Sequence, residues 1–482
     1  MKIAMAMLGL SAAAGGPCFA GSASGSAAPA MQVQSLLDPA GVFETLYSTG
    51  NFDRSGSFFQ SLGTNGRSCG TCHLPNQAFT LSASAAALTF ILTQGRDPLF
   101  APVDGANCPS ARPEDASAHS LLLKNGLFRI SIPLPANAQY TISVVHDPYG
   151  CAITLDPKTG QQDISVYRRP LPATNLSFLS DVMSDGRETT AALGQESTFL
   201  MNLQADLTQQ ASDATTTHAQ ALSPPSAEQL TDIVNFELAT YTAQSLDWAT
   251  GPLTDEGALG GAIALFGEQY YPGINDAKGN DPTGAPFNSS SMTLFSAWTA
   301  PPSSTTLDGV SRETAQAAVA AGENIFNTAL LTTGGGGVTH CSTCHDTPNI
   351  GNRSLSSFFD VGTAHSTLPG TESNAQISAA LAELSMPDLP VYLISGCPDT
   401  TDPTQSAAFY TTDPGRALIT GKCSDLYRTK VPTLRGLAAR APYFHNGGAA
   451  DLSQVVNFYN QRFQMGLTPE QMSQLVAFLS AL

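Results

Sequence analysis

Residues 69–73 read Cys69-Gly70-Thr71-Cys72-His73, and residues 341–345 read Cys341-Ser342-Thr343-Cys344-His345. The pattern C-x-x-C-H is the attachment motif for c-type haem. Its two thiols add to the haem vinyl groups, and the adjacent histidine supplies the proximal iron ligand. Two intervening residues let both sulfurs reach one porphyrin edge while the chain turns to set the imidazole under the iron. A zinc site would pair each C-x-x-C with two further ligands nearby. A thioredoxin-like motif would need a βαβ setting. The duplicated pattern therefore points to two covalently bound haem c groups. Cys69, Cys72, Cys341 and Cys344 are the attachment residues, with His73 and His345 as iron ligands.

The remaining cysteines follow from the cellular address. Met1-Lys2 opens a short apolar stretch, Ile3 to Ala14, followed by small residues up to Ala20. This reads as a secretory signal, residues 1–20, and places the chain in the periplasm. The stretch is too short to span a bilayer, and no later one reaches about 18 uninterrupted apolar residues. Cys108, Cys151, Cys397 and Cys423 fit no metal spacing. In an exported protein they are disulfide candidates. The sequence-local pairings are Cys108 with Cys151 and Cys397 with Cys423, among the three that four cysteines allow.

Composition narrows the partners. The chain has 482 residues, 42% hydrophobic and 12% charged, with 42 Gly and 32 Pro. That length suits two or three domains, with long irregular connections. The formal charge is −18, from 21 basic and 39 acidic residues. Such a surface argues against nucleic acid, which needs clustered Lys and Arg, and against anionic lipid. It favours a basic small redox protein through electrostatic steering.

The two motifs divide the chain into haem-bearing modules of residues 31–255 and 256–482, with the boundary near Gly251 to Gly261. Residues 100–170 look inserted. The runs 127–132, 140–145 and 164–167 alternate at period two and are rich in β-branched and aromatic residues, so a small β-rich flap closed by Cys108–Cys151 is expected. Residues 272–310 read as a long ordered loop. Ser226 with Gln229 signals a capping box, followed by Leu230, Ile233, Val234, Leu238 and Tyr241 at helical spacing, with Glu237 on the same stripe. Asp451 with Gln454, and Thr468-Pro469-Glu470-Gln471, start two further helices.

Further motifs carry a resemblance. They are Asp185-Gly186-Arg187-Glu188, Val431-Pro432-Thr433-Leu434-Arg435 and Ala441-Pro442-Tyr443-Phe444-His445-Asn446-Gly447-Gly448. With the two C-x-x-C-H modules, they resemble the bacterial di-haem cytochrome c peroxidase family, which includes the methylamine-utilisation di-haem oxidase. The likeness is strongest in residues 320–482 and 65–75. It implies a mainly α fold of two cytochrome c-like haem domains, here with a small β-rich insert in the first. It also implies that one haem reacts with peroxide or an oxidant while the other relays electrons. Family members often hold a Ca2+ between the domains on backbone carbonyls.

The chain departs from that pattern at three points. Ser184 precedes Asp-Gly-Arg, where the family peroxidases usually carry Trp. The position of their catalytic Glu falls on or near Gln220, close to His218. A neutral Gln cannot shuttle a proton, whereas a His can. Tyr459 stands where typical members carry a ligating Met; the methylamine-utilisation enzyme is similar to this chain in having Tyr there, and Met465 is the competing ligand. A phenolate favours ferric iron and lowers the potential, whereas a thioether raises it. The expected distal residues are His218 and Gln220, and Tyr459 is the expected ligand of the second haem. Glu237 is either a paired structural carboxylate or a buried acid. The function expected is a peroxidase-like oxidoreductase that reduces peroxide or uses it to oxidise a substrate. The alternative is a non-catalytic electron-transfer protein.

Overall fold

The computed structural model describes residues 31–50, 52–156, 159–190, 199–299, 311–333, 337–386, 388–398 and 406–482. The expected signal segment and residues 300–310 of the long connection lie outside these. Among the described residues no helix is long and apolar enough to cross a membrane.

The expected mainly α class is overturned. Helices make up 35% of the structure and strands 18%, and the strands form several antiparallel sheets. One sheet of four strands orders Gln32–Leu37, Gly41–Tyr47, Thr240–Asp247 and Gly251–Pro252 side by side. It sets the two ends of the stretch 31–255 next to each other. Tyr241 belongs to this sheet and not to the helical stripe on which its spacing placed it. The capped helix Ala227–Leu238 stops at Ala239, and the chain continues directly as a strand. Thr45, Thr242 and Thr174 join hydroxyls in the sheet interior, so the β-branched run is held by side chains as well as by the ladder.

The helical signals near the C-terminus hold. Thr468 accepts from the Gln471 N–H at 3.2 Å, Gln471 Oε1 accepts from the Thr468 N–H at 2.9 Å, and Pro469 opens the helix Pro469–Ser480. Asp451 caps Leu452–Arg462 through the Gln454 N–H at 2.8 Å. Helix Pro469–Ser480 crosses helix Arg312–Thr328 at Gly322. A Cβ there would lie 2.0 Å from the Gln474 carbonyl oxygen, so only glycine permits the approach. Val319, Phe326, Leu475, Phe478 and Leu479 fill the contact.

The insert is where the fold differs most from expectation. Strands Phe128–Pro133, Ile153–Leu155 and Gln162–Arg168 form one sheet, as the alternation predicts. Strand Thr141–His146 leaves it and pairs with Val391–Pro398, a strand of the second half. That strand pairs in turn with Ser406–Thr411, and His365–Pro369 completes a second sheet. Both halves of the chain therefore build one β unit with a shared core. Ile132, Ile142, Ile164 and Val166 come from the first half, and Tyr392, Ile394, Leu418 and Leu426 from the second. The Tyr392 hydroxyl donates across the unit to the Ser165 carbonyl at 2.5 Å. Disulfides Cys108–Cys151 and Cys397–Cys423 tie down its loops, one in each half.

This shared core predicts a definite cost for trimming it. Ile394 is fully buried, and Ile394→Ala should destabilise the protein by about 2–5 kcal/mol. Leu37, 71% exposed, serves as the control. Leu37→Ala should change stability by no more than about 0.5 kcal/mol. Denaturant titration of both variants against the parent checks the pair.

Candidate functional site

Each C-x-x-C-H folds as a single helical turn with the histidine at its end, Cys69–Cys72 and Cys341–Cys344. The two turns are built alike. The Ser68 N–H donates to Thr71 Oγ1 at 3.0 Å, and the His340 N–H donates to Thr343 Oγ1 at 3.2 Å. The His73 and His345 N–H groups each donate to the first cysteine's carbonyl at 3.0 Å. The middle threonine, common to both motifs, thus closes the turn in each.

The imidazoles are oriented by the same device. His73 Nδ1 lies 3.0 Å from the Phe79 carbonyl oxygen, and His345 Nδ1 lies 2.6 Å from that of Gly351, six residues downstream in each case. A carbonyl only accepts, so Nδ1 carries the proton and Nε2 is left as a lone pair for a metal. Burial pushes both histidines below their ordinary pKa, which favours the neutral form that ligates. Reaching the first carbonyl requires left-handed backbone at Ala78 and Phe79, with φ of 51° and 55°. Phe58 packs 6.4 Å from the His73 ring, and Phe326 packs 6.1 Å from the His345 ring.

Beside the first turn lies a cleft lined by Cys72 and His73. Its walls divide by chemistry. Phe128, Ile130, Leu171, Leu176, Leu179, Val182 and Leu207 form an apolar belt. Arg168, Arg169, Arg187 and Lys430 supply a basic side, and Gln210, His218 and Glu237 a polar one. Arg168 is neutralised, held by Asp413 at 2.6 Å and by Asp185 at 2.5 Å. Arg187 leans on Asp185 at 2.9 Å.

Arg169 and Lys430 differ. The Arg169 guanidinium donates to the carbonyls of Arg440, Pro442 and Leu81, and its Nε is buried without a partner. Lys430 Nζ donates to the Asp181 carbonyl at 2.8 Å. Neither makes an ion pair among the described residues. Burial pushes Arg169 down to about 9 and Lys430 down to about 8.

These features fit a haem. A planar apolar macrocycle matches the belt, and its two propionates match the two cleft cations that make no ion pair among the described residues. Cys69 and Cys72 are free thiols, whereas Cys108, Cys151, Cys397 and Cys423 are paired. Cys341 and Cys344 are free as well.

The expected distal residues occupy different places. His218 follows helix Phe199–Thr217, lines the cleft and is bonded through Nδ1 to buried Asp104. Gln220 is not among the lining residues. Its Oε1 accepts from Asn65 Nδ2 at 3.4 Å, and its backbone carbonyl accepts from the Thr64 hydroxyl at 2.9 Å. Glu237 lines the cleft at 5% exposure, and its Oε2 has no hydrogen-bond partner. It is the unpaired member of the two alternatives the sequence left, and burial pushes it up to about 8. Tyr459, on helix Leu452–Arg462, faces the second motif. Burial raises its phenol above the ordinary range, and the nearby Cys344 and Cys341 thiols add to the rise. Met465 lies past the end of that helix, its N–H on the Asn460 carbonyl at 3.0 Å. His445 is buried, 3.6 Å from Asp413.

The Asp-Gly-Arg motif is a packing device in this chain. Asp185 is fully buried and holds Arg168 and Arg187, while a Cβ at Gly186 would lie 2.3 Å from the Phe358 ring. Ser184, where the family's Trp is absent, lines the cleft and accepts the Lys430 N–H at 2.9 Å. Asp104, Arg169 and Lys430 were missed by sequence reading. Asp104 meets His218 across 114 residues of chain, and no local spacing signals such a contact.

No protein-family model matches the chain. A 78-residue stretch, 15% of this chain and 21% of the relative, is 41% identical to a cytochrome-c peroxidase of Denitromonas iodatirespirans. Seventy residues are 43% identical to a cytochrome c551 peroxidase of Nitrosomonas europaea, covering 14% of this chain and 21% of the relative. Seventy-two residues are 42% identical to the cytochrome c peroxidase Ccp of Escherichia coli, covering 14% of this chain and 15% of the relative. The chain thus matches about a fifth or less of each relative's length. Over that fragment it is similar to bacterial cytochrome c peroxidases, in keeping with a peroxidase-like haem protein.

Glu237 gives the site a pH signature. Its folded pKa of about 8 stands above the ordinary 4.5, so the folded state holds its proton longer than the unfolded one. Its contribution is fully present below pH 4.5 and is lost as pH rises through 8. Glu237→Gln should therefore match the parent in melting temperature at low pH and exceed it progressively above pH 4.5, with the gap levelling off above pH 8. Thermal unfolding of both proteins across that range measures it.

Proposed function

We propose that the chain is an exported, periplasmic di-haem c-type oxidoreductase of the peroxidase kind. It reduces peroxide, or uses it to oxidise a small-molecule substrate, at a centre held by Cys69, Cys72 and His73. Electrons pass through a second centre held by Cys341, Cys344, His345 and Tyr459, and a small redox protein exchanges them. The observation that carries this reading is the first cleft. It brings a metal-competent His73 and a second imidazole, His218, to one amphiphilic space. The partial likeness to cytochrome c peroxidases supports it.

Bound in the cleft, the haem supplies iron redox chemistry, and the protein does the rest. Phe79 fixes the His73 ring through its carbonyl. The apolar belt excludes water from the macrocycle, which strengthens every charge interaction inside. Arg169 and Lys430 would hold the propionates. Reduction of hydrogen peroxide to two waters consumes two electrons and two protons, and it needs a proton moved onto the leaving oxygen. His218 lines the cleft and can accept a proton at one ring nitrogen and return it; Gln220 lies outside the lining, and an amide cannot do so. Gln220 instead ties the His218 loop to Thr64 and Asn65.

One observation favours the alternative of a pure electron carrier. His218 and His73 line the same cleft, so His218 would be available as a further imidazole to hold the first haem. EPR and optical spectra of the ferric holoprotein separate the two. The oxidoreductase reading expects a high-spin, five-coordinate component that peroxide changes. Two low-spin centres indifferent to peroxide would leave only the carrier. Tyr459→Met should raise the potential of one centre in a redox titration, and an unchanged potential and spectrum would remove the phenol as a ligand.

A further inference from the structure

Resting on the reading of His218 as the proton-handling group, we infer that Asp104 is a positioning residue that fixes the His218 tautomer and presents a bare Nε2 to the cleft. Asp104 is 4% exposed and each of its carboxylate oxygens has one side-chain partner, Arg67 on Oδ1 and His218 on Oδ2. Burial alone would raise its pKa, but Arg67 and then His218 hold it below the ordinary value, so it stays ionised. An ionised carboxylate only accepts. The His218 proton therefore sits on Nδ1, and the neutral ring has its lone pair on Nε2. Nε2 has no hydrogen-bond partner among the described residues, and the ring lines the cleft that His73 lines.

The support is rigid on every side. Arg67 is 2% exposed. Its Nε donates to Pro98 O at 2.7 Å, its Nη2 to Leu99 O at 2.7 Å and Ala101 O at 3.2 Å, and its Nη1 to His218 O at 3.3 Å besides Asp104. The His218 N–H is on Ala214 O at 2.8 Å, and its carbonyl takes Asn65 Nδ2 at 2.8 Å. A pinned backbone and a pinned ring leave His218 one orientation. An acid entering the cleft breaks its own bond to hydrogen and gives that proton to Nε2. The imidazolium then holds one proton on Nδ1 against Asp104 and the other on Nε2, which it can return.

Hydrogen cyanide is the probe, because it binds ferric iron only as it loses its proton to a base. The association rate is read by stopped flow on the ferric holoprotein at neutral pH. His218→Gln should slow it by about 10²-fold or more. Asp104→Asn offers an amide donor to Nδ1 and forces the proton onto Nε2, and it should slow association by about 10- to 100-fold. The double variant should be no slower than His218→Gln. If Asp104→Asn does not fold, Arg67→Gln with Asp104→Asn removes both buried charges and takes its place. Slowing by His218→Gln with none from the Asp104 variants would overturn the positioning role and leave the His218 reading standing. So would further slowing in the double variant, since independent effects mean a merely structural carboxylate. An unchanged rate in His218→Gln, or no cyanide binding to the parent, would remove the His218 reading and this inference with it.

Discussion

An imidazole whose Nδ1 proton is tied to a main-chain carbonyl has one nitrogen left to offer, and both C-x-x-C-H turns are organised around that constraint. The carbonyl comes from Phe79 in one case and Gly351 in the other, each six residues past the histidine. Much of the surrounding structure serves to hold those carbonyls and rings in place. Left-handed backbone at Ala78 and Phe79 turns the first loop back on itself, and the Leu74–Thr80 bridge closes it. Asn349, also left-handed, turns the second loop, and its carbonyl accepts the buried Arg435 at 2.8 Å. The repetition of one local solution at two distant points argues for one chemical purpose.

Around the first turn the chain builds an amphiphilic cleft from pieces far apart in sequence. Phe128, Ile130, Arg168 and Arg169 come from the β insert, Gln210, Ala214 and His218 from the helix Phe199–Thr217 and its end, and Lys430, Pro432 and Thr433 from the second half. The β unit therefore walls the site as well as joining the two halves. Arg168 shows how the two roles combine. It faces the cleft while its charge is spent on Asp185 of the first half and Asp413 of the second, so the wall and the junction share one side chain.

What the sequence made legible was local. Capping residues and hydrophobic spacing located Ala227–Leu238, Leu452–Arg462 and Pro469–Ser480, and alternation located the strands near 128–133, 141–146 and 162–168. The sequence-local disulfides also formed. What escaped was long-range. Thr141–His146 pairs with Val391–Pro398, and strand pairing leaves no local mark of its partner. That hidden pairing, with the sheet joining Gly41–Tyr47 to Thr240–Asp247, is why a mainly α reading failed. At the site the C-x-x-C-H residues were plain from spacing, while Asp104, Arg169 and Lys430 were not. Their meaning lies in what burial does to a charge with or without a partner, and burial is a property of the folded chain.

The most direct test of the account is the intact mass of the purified chain from a host competent in c-type cytochrome maturation. The account expects the polypeptide plus two covalently attached haems, both surviving denaturation. A mass with one haem would remove one of the two centres, and a mass with none would contradict the whole.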